Sequence, residues 1–227
     1  MRLNKSLKVI INKFIFKVKK LFGLGFLGSI KCILEKRKLK ALQEKFNFMI
    51  WHAEGCFECR PYKKQILDIV NNISPKSLVD IGCGLAEILS KSNAKYKYGI
   101  DPDLAVIKAA KFLNPNIKFF KGNSDLLFKM IKDKKINITN ESLLIASNWT
   151  HNINKEELEI FLKKSLNHFN YIIIDIFNIE QIDKINNLLE KDDLIQNFTH
   201  TFVINTFDVE IFPFIDNNNQ SIVLIKK

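Results

Sequence analysis

The 227-residue chain is 47% hydrophobic, enough apolar material to fill the core of one ordinary domain with an appendage. Its formal charge of +11 is confined to one end: residues 1–45 hold 13 Lys/Arg against 2 Asp/Glu, and the remainder carries 22 of each sign. A neutral body with a basic arm argues against a domain that is a nucleic-acid binder throughout.

In chain order, residues 1–45 read as a basic amphipathic helical arm. Leu7, Ile10, Phe14, Val18 and Leu21 recur at helical spacing, with Lys5, Lys8, Lys13, Lys17 and Lys20 between them. Such a helix suits the headgroup layer of an anionic membrane, and equally it suits packing of its apolar side on the main domain. Nucleic acid ranks behind both, since no aromatic–Arg interleaving accompanies the lysines. The longest uncharged apolar run, Leu21 to Ile30, is too short to span a bilayer. It is followed by further Lys and Arg, unlike a secretory signal. These features predict a cytoplasmic protein, peripheral at the inner membrane face if the arm binds lipid.

Residues 46–227 form the predicted main domain, with 46–73 as a segment that precedes the sheet. Cys32, Cys56, Cys59 and Cys83 are too few and too irregular for a disulfide framework. Cys56 and Cys59 form a CxxC preceded by His52, but no fourth zinc ligand with a matching spacing is evident. The expectation is free thiols and no metal.

From Tyr62 a helix-like segment runs to Asn72, and the turn Ser74-Pro75 follows. Strand-like runs then fall at 78–81, 96–100, 117–120, 143–146 and 171–176. Helix-like runs separate or follow them at 85–92, 104–113, 124–131, 155–168 and 179–190. That alternation predicts a doubly wound, mostly parallel sheet. Residues 198–212 and 221–225 read as two further strands, an antiparallel hairpin closing one edge of a seven-stranded sheet.

The first βα turn reads Asp80-Ile81-Gly82-Cys83-Gly84-Leu85-Ala86-Glu87. The two glycines alone leave a nucleotide phosphate, a nicotinamide dinucleotide and S-adenosylmethionine open. A dinucleotide asks for a third glycine where Glu87 stands, and a phosphate loop asks for a GK[ST] that is missing. Asp80, an acid at the end of a buried strand, calls for a cationic partner such as an amino-acid ammonium group. Gly82 and Gly84 would also serve a plain strand-to-helix turn.

The stretch VDIGCGLAEIL resembles motif I of the class I S-adenosylmethionine-dependent methyltransferases, an acid followed by GxGxG or GxGxA. The resemblance implies a Rossmann-like α/β fold and S-adenosylmethionine as cofactor, with Asp80, Gly82 and Gly84 at its binding site. It also implies that Asp101, in YGIDPD, accepts both ribose hydroxyls. Asp125 and the adjacent Leu126 would then meet the adenine. Asp101 and Asp125 could each serve only as helix caps. Cys83 reads as packed, with its backbone rather than its sulfur toward the ligand.

Methyl transfer needs an aligned nucleophile and, for a hydroxyl acceptor, a base. After the fourth strand the chain reads SNWTHNI, without the [DN]PP[YF] of many amino-methylating relatives on nucleic acid. Asn148 and Trp149 are candidate substrate contacts there, and His151 a candidate base. Phe46 to Tyr62 offers a second wall, with His52 as base or sugar contact and Arg60 as a substrate ligand; it loosely resembles methyltransferases of bacterial surface-polysaccharide gene sets. His168 and His200 read as ordinary structural residues. The expected acceptor is a small molecule or glycan, with RNA as the alternative.

Overall fold

A computed structural model describes residues 25–148, 153–177, 202–215 and 220–227. Before the sheet lie α1 (Gly25–Phe46), α2 (Ile50–Glu54), a 3-10 turn (Phe57–Cys59) and α3 (Pro61–Ile73). Then come β1 (Ser77–Ile81), α4 (Glu87–Lys91), β2 (Tyr96–Asp101), α5 (Leu104–Leu113), β3 (Lys118–Lys121) and α6 (Ser124–Lys132). The remainder is β4 (Ser142–Ala146), α7 (Lys155–Leu166), β5 (Tyr171–Phe177), β6 (Asp208–Pro213) and β7 (Gln220–Lys226). The expected helix over 179–190 lies outside the described residues, as does the arm up to residue 24.

The strands form one seven-stranded sheet in the order β3-β2-β1-β4-β5-β7-β6. The first five run parallel, and β7 pairs antiparallel with both β5 and β6. Strands β1 and β4 are buried at every position, as central parallel strands covered on both faces must be. Alternate residues feed two cores. Leu78, Leu143, Ile145 and Ile173 face Ile66 and Val70 of α3, Leu89 of α4 and Ala110 of α5. Val79, Ile81, Leu144 and Ile172 face Leu127 and Met130 of α6 with Leu158 and Phe161 of α7. The strand order reverses between β1 and β4, so the loops after these two strands open a crevice at their carboxyl ends.

A third, smaller core holds Cys32, Leu39 and Leu42 of α1 with Phe48, Ala53, Cys56 and Cys59. It packs them against Leu85 and against Val106 and Ala109 of α5. From Cys32 onward, α1 is therefore docked on the α/β body, while Leu27 and Leu34 remain exposed.

One expected element differs. Residues 202–206 are helical rather than extended, and β6 begins only at Asp208. The Phe207 N–H bonds the Val203 carbonyl four residues back at 3.2 Å, and Val203 is buried in the second core. A short run of apolar and β-branched residues is compatible with either state, and here packing of Val203 decides it. Helix α4 starts two residues later than expected because Ala86 is left-handed, at φ +61°.

Leu144 sits fully buried in the central strand β4. Leu144→Ala should destabilise the protein by about 2–5 kcal/mol in urea unfolding, because the close-packed sheet interior cannot collapse into the cavity.

Candidate active site

The crevice is built on the loop between β1 and α4. Gly82 and Gly84 have φ of +70° and +53°, where a side chain is strained, and with Ala86 they fold the loop back on itself. The Gly82 and Cys83 N–H groups donate to the Ile100 carbonyl at 2.8 and 3.1 Å, which pins the loop to β2. The Gly84 N–H donates to Asp101 Oδ2 at 3.0 Å, and the Asp103 N–H donates to Asp101 Oδ1 at 2.9 Å. The loop after β1 and the acid ending β2 thus form one unit. Burial raises the Asp101 pKa, and the two N–H groups oppose that rise.

Asp80, the penultimate residue of β1, lines the same crevice and is buried. Desolvation pushes its pKa up to about 8; Lys63 lowers it and the Asp101 charge adds to the rise. Lys63 is committed elsewhere. Its Nζ donates to the Gly55 carbonyl at 2.7 Å and pairs with the Glu87 carboxylate. The other Glu87 oxygen accepts the Phe57 N–H at 2.8 Å. Glu87, expected only to exclude a pyrophosphate, therefore also fastens the pre-sheet segment over the loop.

That segment brings His52 onto the glycines. A Cβ at Gly84 would lie 3.2 Å from His52 Nδ1, so only glycine leaves room for the ring without displacement. The imidazole stacks on Trp51 at 3.5 Å between centroids. Desolvation lowers its pKa to about 4; Asp103 opposes this, and Lys63 and Arg60 add to it. His52 is accordingly a neutral imidazole at physiological pH and a weak base.

Opposite, the chain leaves β4 through Ser147 and Asn148. Asn148 is left-handed, at φ +56°. Its N–H donates to Asp175 Oδ1 at 2.6 Å, and its Nδ2 donates to the Tyr62 hydroxyl at 2.6 Å. Arg60 Nη1 donates to the same hydroxyl at 3.1 Å, and the Tyr62 ring stacks on Phe214. Ser147 Oγ is buried in the crevice wall without a hydrogen-bond partner among the described residues.

Of the expected residues, His52, Arg60, Asp80, Gly82, Gly84 and Asn148 line one crevice. Asp101 stands directly behind the loop. Asp125 is exposed at the start of α6, and Leu126 packs over Gly122; neither lines the crevice. Trp149 and His151 lie outside the described residues. Cys83 is packed as expected, with burial pushing its thiol pKa well up. Tyr62, Lys63, Ser147 and Asp175 were not anticipated. Asp175 carries the same signal as Asp80, an acid inside an apolar strand run.

The expectation of four free thiols needs correction. Cys32 of α1 is disulfide-bonded to Cys59, and only Cys56 and Cys83 are free. Sequence spacing hid this pairing because packing of α1 across the pre-sheet segment, rather than chain proximity, brings Cys32 to the CxxC.

Comparisons with protein-family models and with curated protein sequences each gave no match. Solved structures match in fold. The methyltransferase domain of bacterial CtHen1 superposes with a TM-score of 0.54 at 15% identity, covering 74% of this chain and 98% of that one. An O-methyltransferase from Bacillus cereus in complex with SAH gives 0.52 at 11% identity, over 73% and 80%. The chain has the class I methyltransferase fold. The plantazolicin methyltransferase BpumL, in complex with a desmethylPZN analog and SAH, gives 0.50 at 14% identity and covers 89% of this chain and 99% of its own.

Asp80 and His52 give the fold a pH signature. Asp80, near 3.8 when unfolded and about 8 when folded, binds more protons in the native state, so its contribution falls as pH rises through that window. His52, near 6.5 unfolded and about 4 folded, acts with the opposite sign between those values. Between pH 6.5 and 8 only Asp80 of the two contributes a slope. Urea unfolding should show stability falling with pH there in the wild type, and Asp80→Asn should flatten that fall.

Proposed function

We propose that the protein transfers a methyl group from S-adenosylmethionine to an oxygen of a small molecule or glycan. The observation that supports this best is Asp80, a buried acid at the mouth of a glycine loop; Lys63, the cation that acts on it among the described residues, is held by Glu87 and the Gly55 carbonyl. Such a site favours a ligand that brings its own positive charge. An amino-acid ammonium group does so, whereas a dinucleotide pyrophosphate would meet Glu87 at the start of α4.

The residues present fit that cofactor. Asp80 would face the ammonium group, and the left-handed loop leaves the ligand free to approach backbone at Gly82 and Gly84. Asp101, held in orientation by two N–H groups, would use its remaining lone pairs on the ribose hydroxyls. Asp125 and Leu126 remain the expected adenine contacts, although neither lines the crevice. Bound there, S-adenosylmethionine supplies an electrophilic methyl group on a sulfonium. The chain's part is to exclude water and to align the acceptor oxygen in line with the departing sulfur. Asn148 and Arg60, joined through the Tyr62 hydroxyl, are the polar groups that would meet that acceptor. His52 lies over the loop as a neutral proton acceptor, and His151 remains the second candidate base.

Helix α1 exposes Leu27, Ile30, Ile33 and Leu34 together with Lys31, Lys36, Arg37 and Lys38. A surface mixing exposed aliphatics with lysines suits the headgroup layer of an anionic bilayer, where lipid-linked glycans are assembled. No described helix is long and apolar enough to cross a membrane.

Two measurements test this reading. By calorimetry, Asp101→Ala should weaken S-adenosylmethionine binding by about 1.5–3 kcal/mol through loss of charge-assisted hydrogen bonds, and an unchanged affinity refutes the ribose role. The Leu27→Glu/Leu34→Glu double variant should bind phosphatidylserine vesicles more weakly than the wild type. Equal binding removes the membrane reading while leaving the cofactor reading intact.

A further inference from the structure

Three of the four cysteines converge beside the site. Cys32 lies on α1, and Cys56 and Cys59 bracket the 3-10 turn of the pre-sheet segment. Their sulfurs all fall within 4.8 Å of one another, and all three residues are buried. Cys56 Sγ is 2.8 Å from Cys59 Sγ. The turn itself is the device that aligns the CxxC, since the Cys59 N–H bonds back to the Cys56 carbonyl at 3.1 Å. A carboxylate stands outside this sulfur group on the same helix as Cys32. Glu35 lies one helical turn after Cys32 on α1. One Glu35 oxygen is fixed by the Glu58 N–H at 2.8 Å, which leaves the other free to ligate.

We propose that in the reduced chain Cys32, Cys56 and Cys59 bind a structural zinc ion, with the Glu35 carboxylate turning in as fourth ligand. Three thiolates and one carboxylate match the donor types and the closed four-coordinate shell of structural zinc. The sulfurs are too close together to span a cluster of several iron and sulfide ions. On binding, the three thiol protons pass to solvent and three Zn–S bonds form, with no change of oxidation state. The Cys32–Cys59 disulfide uses two of the same sulfurs, so oxidation and zinc exclude each other. The ion would tie α1 to the segment that holds His52 over Gly84 and Phe57 on Glu87. Zinc binding at these sulfurs requires no methyl transfer.

The test uses the full chain, stripped of metal and kept under a phosphine reductant, titrated with zinc against a chromophoric chelator. One equivalent should bind, and Cys56→Ser should lower the affinity by roughly tenfold or more. Cys83→Ser should match the wild type. Oxidising the chain so that Cys32–Cys59 closes should abolish uptake. Absence of stoichiometric zinc in the reduced chain, or a Cys56→Ser variant that binds as tightly as wild type, overturns the proposal. Cobalt bound to the reduced wild-type chain gives a readout independent of any variant. Intense thiolate-to-cobalt charge-transfer bands support the site, and a weak spectrum of oxygen ligation contradicts it.

Discussion

The arrangement of the crevice depends on a backbone constraint: the five residues between β1 and α4 include three with positive φ, Gly82, Gly84 and Ala86. Left-handed backbone is disfavoured for any residue with a Cβ, and at Ala86 that cost is offset by full burial of its methyl group in the first core. The fold-back aims the Cys83 N–H at β2 and the Gly84 N–H at the Asp101 carboxylate, coupling two strand ends through short hydrogen bonds. A regular strand-to-helix turn would leave Asp101 without the Gly84 donor and would separate it from Asp80. The close passage of His52 over Gly84 requires the same geometry.

Around this loop polar contacts add to the apolar packing that docks the pre-sheet segment on Leu85, Val106 and Ala109. Glu87 holds Phe57 and Lys63, and Lys63 in turn holds the Gly55 carbonyl. On the far side, Tyr62 and Asn148 join the segment to the end of β4 and so to Asp175 of β5. The partners of Asp80 and His52 come from both sides of this attachment. Loosening the segment would readmit water to both groups and return their pKa values toward ordinary ones.

Sequence patterning was sufficient for the sheet because each parallel strand is a short apolar run bounded by turn residues and each crossover is a helix-period run. The glycines and the acids Asp80 and Asp101 were legible for a local reason, since each sits at a strand end where register alone determines its neighbours. What stayed hidden depends on contacts distant in sequence. The role of Glu87 needs Phe57, 30 residues away, and the hydroxyl of Tyr62 meets Asn148 across 86 residues. Cys32 joins Cys59 only because α1 crosses the pre-sheet segment. The helical stretch at 202–206 escaped because apolar β-branched runs carry no decisive period.

The central claim is that the Asp80–Gly84 loop and Asp101 together hold S-adenosylmethionine. A crystal structure of the protein with S-adenosylhomocysteine tests it most directly. The account predicts the ligand's ammonium group within hydrogen-bond reach of Asp80 and both ribose hydroxyls on the Asp101 carboxylate. A ligand bound elsewhere, or one whose ribose leaves Asp101 bonded only to the Gly84 and Asp103 N–H groups, would contradict it.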